Sequence, residues 1–260
     1  AAQAQNRGDP NALRVKLFGD LRSIDPFISP EYMARNHGYM VYDTLFALDS
    51  RLAVQPQMVE RFTTSEDGRT WTFFLRHATW SDGEPCDAHD FEYAYKRILN
   101  PENLAEYASI LYPIKNAEKV NSGEMSPDQV GVRAIDDLTL EIQLEHPAPY
   151  LPEMLMHYTS YPVPKHVVER YGDDWVQPNH IAVNGAFKLV KWWSNYIVHL
   201  QRNPAFFDAD NVVMENLYFY PSNDVSAAAR KVMSGEAGWS TRFPSNQVQE
   251  LRRALPGFVR

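Results

Sequence analysis

Residues 79-TWSDGEPCDAHDFEYAYKRIL-99 pass from a turn into a helix. Asp82-Gly83 and the Gly-x-Pro at 83–85 are turn signals. Beyond them Phe91, Ala94, Tyr95 and Ile98 recur at helical spacing. Asp87 stands at the N-cap position, and Asp90 three residues on supplies the acidic half of a capping box. Counted from His77 to Tyr93, the same region holds two histidines, a cysteine, three aspartates and two glutamates. That is also the inventory of a metal site or an acid–base catalyst. Position favours the structural reading, because Asp82 belongs to the turn, Asp87 and Asp90 to the helix start and Glu92 to its first turn. His77 and His89 do not share an i, i+4 relation, and the chain contains no HExxH. A metal-dependent hydrolase built on this cluster is the weaker alternative. It requires stoichiometric metal that is lost when His77 or His89 is replaced.

Working outward, 260 residues can bury a substantial core, as one large domain or two smaller ones. A composition of 44% hydrophobic and 22% charged residues is that of a globular chain, and 18 prolines break it into short elements. The formal charge of −8 argues against nucleic acid, which needs clustered Lys and Arg. A single cysteine, Cys86, excludes an internal disulfide and a Cys-based zinc cage. No apolar run reaches membrane-spanning length. The opening 1-AAQAQNRGDPNA-12 reads as a chain just after signal-peptidase cleavage. An engineered or flexible terminus would look the same.

Alternation predicts strands at 13-LRVKLF-18, 71-WTFFLR-76, 186-AFKLVKW-192, 195-NYIVHLQR-202 and 214-MENLYFY-220, and a hairpin in 130-VGVRAIDDLTLEIQL-144. The turn-rich 23-SIDPFISPE-31 leads into a helix expected over 31–46, with Met33, His37, Met40, Val41, Thr44 and Leu45 on one face and Gly38 as an interior weakness. Short helices are expected near 150–156 and from Pro164. Two more close the chain: 222–235, with serine capping and glycine stopping, and 245–255. The fold class is mixed α and β. No Gly-rich phosphate loop, G-x-S-x-G elbow or repeat is present, so the residues themselves demand no enzyme.

The order 39-YMVYDTLF-46, 57-QMVERFTTSEDGRTWTFFLR-76, 79-TWSDGEPCDAHDFEYAYKRIL-99, 183-VNGAFKLVKW-192 and 202-RNPAFFD-208 resembles the extracytoplasmic oligopeptide- and dipeptide-binding receptors of ABC-type importers, solute-binding protein family 5. The stretch 162–189 looks like the oligopeptide branch in particular. The resemblance runs from about residue 13 to the end and implies a periplasmic-binding-protein-like class II fold. Family members are about twice this long, so the chain corresponds to a first lobe, with the second lobe absent. The implied organisation is a discontinuous ligand-facing domain of residues 1–47 and 171–260 with a smaller accessory domain of 48–170 inserted.

The resemblance further implies a substrate-binding component that captures short peptides in the periplasm, after signal-peptide removal, and delivers them to ABC permease subunits in the inner membrane. It implies no catalysis and no cofactor. Opines, sugars or nickel complexes are the alternative solutes, and a half-lobe acting as a partner-binding or sensor module is the alternative role. Without the second lobe the cleft face would be left bare for self-association. Carried over position by position, the ligand-facing residues are Pro30, Glu31 and Tyr32 through their main chain, Tyr107 through its phenol, and Trp239, Ser240, Thr241 and Arg242 on a strand-to-helix connection. Pro30 replaces an acid of the relatives and has no N–H to give. Arg242 suits the carboxylate of a short peptide's C-terminus. The anchor for the peptide amino terminus lies in the missing half.

Overall fold

Leu13, Val15 and Leu17 alternate with Arg14 and Lys16 in β1 (Ala12–Phe18), and such a strand has an apolar face to bury. The computed structural model, which describes residues 11–28 and 32–254, places β1 inside a five-stranded sheet. Its parallel neighbours are β10 (Asn216–Ser222) on one side and the two-residue β11 (Trp239–Ser240) on the other. Antiparallel β9 (Ile197–Arg202) and β8 (Phe187–Trp193) continue the sheet beyond β10, giving the order β11-β1-β10-β9-β8. Because β1, β10 and β11 are parallel, their C-terminal ends share one edge.

A second sheet is antiparallel: β4 (Val59–Thr64), β5 (Thr70–Leu75), β7 (Thr139–Gln143) and β6 (Val132–Asp136), in that spatial order. β6 and β7 are the hairpin predicted around Asp136-Asp137. A small ribbon pairs β2 (Phe46–Leu48) with β3 (Val54–Pro56). In chain order the α-helices of the described residues are α1 (Tyr32–Val41), α2 (Ala88–Leu99), α3 (Ala117–Asn121), α4 (Leu151–Met154), α5 (Lys165–Tyr171), α6 (Val225–Met233) and α7 (Val248–Ala254).

Strand β5 buries Trp71, Phe73 and Leu75 on one face, and α2 buries Phe91, Ala94, Tyr95 and Ile98. Together with Leu140 and Ile142 of β7 these form part of the core cluster. The start of α2 follows the sequence closely. The Asp87 carboxylate accepts the His89 N–H at 2.8 Å, and Asp90 Oδ2 accepts the Asp87 N–H at 3.3 Å, which completes the capping box. Asp90 also takes the Trp80 indole N–H at 2.8 Å and the Lys165 N–H at 3.2 Å. Its carboxyl is nonetheless pushed up to about 6, because burial costs the charged form more than these donors return. Elsewhere in the cluster, Asp82 accepts from Glu84 in the turn and meets His166 at 2.8 Å, while His89 lies 3.5 Å from Asp137.

The structure corrects three helix expectations. The helix expected to run to residue 46 ends at Val41, because groups from a distant segment intercept its next backbone partners. Gly185 N–H donates to Val41 O at 2.9 Å, Asp43 N–H donates to Asn184 Oδ1 at 3.0 Å, and Asn184 Nδ2 donates to Asp43 O at 3.2 Å. Thr44 and Leu45 are therefore outside the helix, whereas Gly38 sits inside it, where a Cβ would meet the Tyr161 ring at 3.3 Å. The helix expected over 222–235 begins at Val225, and its cap is Asp224, which takes the Ser226 and Ala227 N–H groups, since Ser222 still belongs to β10. Gly235 follows that helix at φ +72, as its stop signal predicts. The last helix starts only at Val248, after a 3₁₀ turn over Ser245–Gln247. Leu255 lies outside the described residues.

Candidate ligand-binding site

The Asn184–Gly185 clasp fixes the chain leaving α1, and this segment builds one wall of a cavity of about 500 Å³. Tyr39, Tyr42, Asp43, Thr44, Phe46 and Leu48 line it from that side. Glu153, Met156, His157 and Tyr161 close it from the other. The Tyr42 and Tyr161 rings lie 5.3 Å apart and Tyr39 meets Tyr161 edge-on at 6.3 Å. Phe46 is fixed from behind by Phe62 and Phe73 at 5.7 and 5.9 Å. Asp43 accepts the Gln57 amide at 3.1 Å. Burial pushes the Asp43 carboxyl up to about 6, against the opposing pull of Gln57 and Arg76. No group of three or more His, Cys, Asp or Glu with the arrangement of a metal site occurs among the described residues.

Tyr107 stands beside this cavity. Buried Ala108 and Leu111 anchor the 3₁₀ turn that it opens, and its ring packs edge-on against Tyr158 at 6.0 Å and lies 6.4 Å from His157. His157 is shared with the cavity lining, so Tyr107 extends one aromatic surface. Tyr107 is 38% exposed, and its phenol makes no hydrogen bond to another described residue. It is placed to offer a donor to a molecule lying across it.

Residues 239–242 occupy a different place. Part of the strand-to-helix connection expected there is a strand: Trp239 and Ser240 form edge strand β11, in register with Val15 and Lys16 of β1, because the main-chain groups of β1 on that side still need partners, while Thr241 and Arg242 lie between it and the next helical turn. Trp239 is exposed and Ser240 buried. The Ser240 hydroxyl donates to Arg242 O at 2.9 Å and Thr241 N–H donates to Lys16 O at 3.2 Å, so the turn after the strand is tied down. Ser240, Thr241 and Arg242 border a crevice of only about 10 Å³ with Ser222 and Asp224, which is water-sized. Tyr107 has its ring contacts elsewhere, so the structure does not gather Tyr107 and 239–242 into one cluster. Pro30 and Glu31 lie outside the described residues, and Tyr32 is described only as the first residue of α1.

Sequence reasoning missed the cavity itself. Its signal was visible in the density of aromatic and acidic residues in 39-YMVYDTLF-46 and 150-YLPEMLMHYTSY-161, yet nothing in either stretch says that the two meet.

Residues 53–255 match the model of the bacterial extracellular solute-binding proteins, family 5 Middle, and the chain belongs to that family. The mixed α and β, periplasmic-binding-protein-like fold implied by the motifs is the fold found. The chain is 34% identical over 245 residues to the periplasmic oligopeptide-binding protein OppA of Salmonella typhimurium, covering 93% of this chain and 45% of that one. It is 32% identical over 250 residues to the probable deoxycholate-binding periplasmic protein YgiS of Escherichia coli, covering 95% and 46%. The crystal structure of Haemophilus influenzae OppA in complex with RPPGFSPFR superposes with a TM-score of 0.90 at 31% identity, over 96% of this chain and 50% of that one. The chain thus spans about half the length of the relatives it matches.

Proposed function

We propose that this chain is the first lobe of an extracytoplasmic receptor that captures short peptides and hands them to an ABC permease. The observation that carries the reading is the likeness, over 96% of this chain, to an oligopeptide-binding protein whose crystal structure holds a nine-residue peptide. The aromatic surface running from Tyr107 across His157 into the cavity supports it. In this reading residues 1–47 and 171–260 face the ligand, 48–170 form the accessory domain, and closure onto a second lobe shifts an open–closed equilibrium. Pro30, Glu31 and Tyr32 offer main-chain groups to an extended peptide, Tyr107 its phenol, and Trp239, Ser240, Thr241 and Arg242 a polar and aromatic edge. Arg242 holds the peptide carboxylate.

Native mass spectrometry of the gently purified chain tests the reading. A ladder of heterogeneous adducts at short-peptide masses supports capture by this lobe. A bare chain that also fails to bind tripeptides in titration overturns it for these residues. Deoxycholate serves as the competing probe, and tighter binding of the bile acid than of any peptide would favour a non-peptide solute.

A further inference from the structure

We infer that the cavity between residues 39–48 and 153–161 is a subsite for a cation, the ammonium or guanidinium group of a lysine or arginine side chain on the bound peptide. The inference rests on the peptide-capture reading for the carrier of that group, whereas the preference for positive charge comes from the lining. Tyr39, Tyr42, Phe46 and Tyr161 supply rings, Asp43 and Glu153 supply carboxylates, and among the described residues no lysine or arginine lines the space. Ring faces attract cations through their quadrupole, most strongly where water is thinned out.

The orientation of the tyrosines separates a cation from a neutral polar guest. The phenol oxygens of Tyr42 and Tyr161 are shut off from solvent, so neither hydroxyl is open to a guest, and of the lining tyrosines Tyr39 is the exposed one, at 60%. The state of Asp43 separates a cation from an apolar or anionic guest. A carboxylate has about four lone-pair sites, and among the described residues the Asp43 side chain receives one donor, Gln57 Nε2. The cation that acts on Asp43, Arg76, is not a lining residue and lies over the Phe207 ring at 4.2 Å. An apolar guest would strip water from Asp43 and return no donor, and an anion would be repelled. An ammonium or guanidinium group supplies the missing donors and the charge together. The volume, about 500 Å³, is of ligand-site size and leaves room for water around an alkyl stem.

The test compares Ala-Lys-Ala with its uncharged counterpart Ala-norleucine-Ala on the 260-residue chain, with n-butylammonium as a probe that carries no peptide bond. Affinity is read by titration calorimetry and occupancy of the cavity by the Met156 methyl resonance. We expect the lysine peptide to bind about tenfold more tightly and to shift Met156. The preference should fall below about threefold in Asp43→Asn and in Glu153→Gln. Glu153 is exposed, so its variant tests charge without touching the core. Equal affinity for the two peptides, or a preference untouched by both variants, overturns the cation subsite and leaves peptide capture standing. If neither peptide binds, the capture reading fails by itself. In that case a Met156 shift with n-butylammonium that is lost in Glu153→Gln still supports the subsite, and no shift overturns it.

Discussion

The Arg97 guanidinium grips the Asp25 carboxylate with both arms, Nη2 to Oδ2 at 2.6 Å and Nη1 to Oδ1 at 3.2 Å. Asp25 is 2% exposed and also accepts the Trp175 indole N–H at 3.2 Å and the Phe27 N–H at 2.9 Å. One carboxylate therefore joins the loop after β1, helix α2 and the segment after α5. Removing it strands a buried guanidinium. We expect Asp25→Ala to cost about 3–5 kcal/mol, read as a lower urea midpoint with an unchanged m-value. Asp25→Ala combined with Arg97→Met should recover much of that loss, and a double variant as unstable as the single one would show that the pair's charge is not the issue.

Asp90 makes stability depend on pH in a direction opposite to that of most carboxylates. Its folded pKa stands at about 6 against an ordinary value near ~4 in the unfolded chain. Between these values the folded state holds a proton that the unfolded state lacks, so this group's contribution falls as pH rises from 4 to 6 and is flat above. Asp90→Ala also leaves the Trp80, Asp87 and Lys165 N–H groups without their acceptor, at roughly 3 kcal/mol. The gap in unfolding free energy between wild type and variant should be wider at pH 4.5 than at pH 7. An equal gap at both values would refute the assignment.

Gly185 admits no side chain. A Cβ there would lie 2.6 Å from Val41 C and 2.7 Å from Tyr42 N, both backbone atoms that cannot swing aside. Gly185→Ala should therefore destabilise by about 2 kcal/mol or more. It should also perturb Asp43 and the cavity, because the same clasp fixes the end of α1. Asn184→Ala, which removes only the side-chain half of the clasp, is the milder control. Wild-type melting of Gly185→Ala would count against this account.

Tyr107 separates packing from hydrogen bonding. Tyr107→Phe keeps the ring contacts with Tyr158 and His157 and removes a phenol that no described residue uses. We expect unchanged stability and a loss of tripeptide affinity of about 2- to 10-fold. Equal affinities in wild type and variant would reduce Tyr107 to a packing residue.

Elements with local causes were legible. The turn at 82–85, the capped helix at 88–99, the hairpin of β6 and β7 and most strands follow from neighbours a few positions apart. What escaped is long-range. The end of α1 is decided by Asn184, 141 positions from Asp43, so helical periodicity alone overran it by several residues. The partners of Asp25 stand 72 and 150 positions away. Tyr107 was singled out only through the family resemblance, and the cavity beside it joins two segments about a hundred residues apart.

The placement of β1 has a kinetic meaning. Lys16 reaches Pro221 across a separation of 205 positions, and β1 finds both its sheet partners in residues 216–240. A ribosome delivers the N-terminus first, so this strand waits until residue 240 has been made, while residues 59–143 can already pair among themselves. Loop closure over such a distance is slow. We expect pulse-labelling hydrogen exchange during refolding to protect amides of β5 and β7 well before those of β1. The five-stranded sheet would then lock last, around a strand synthesised first.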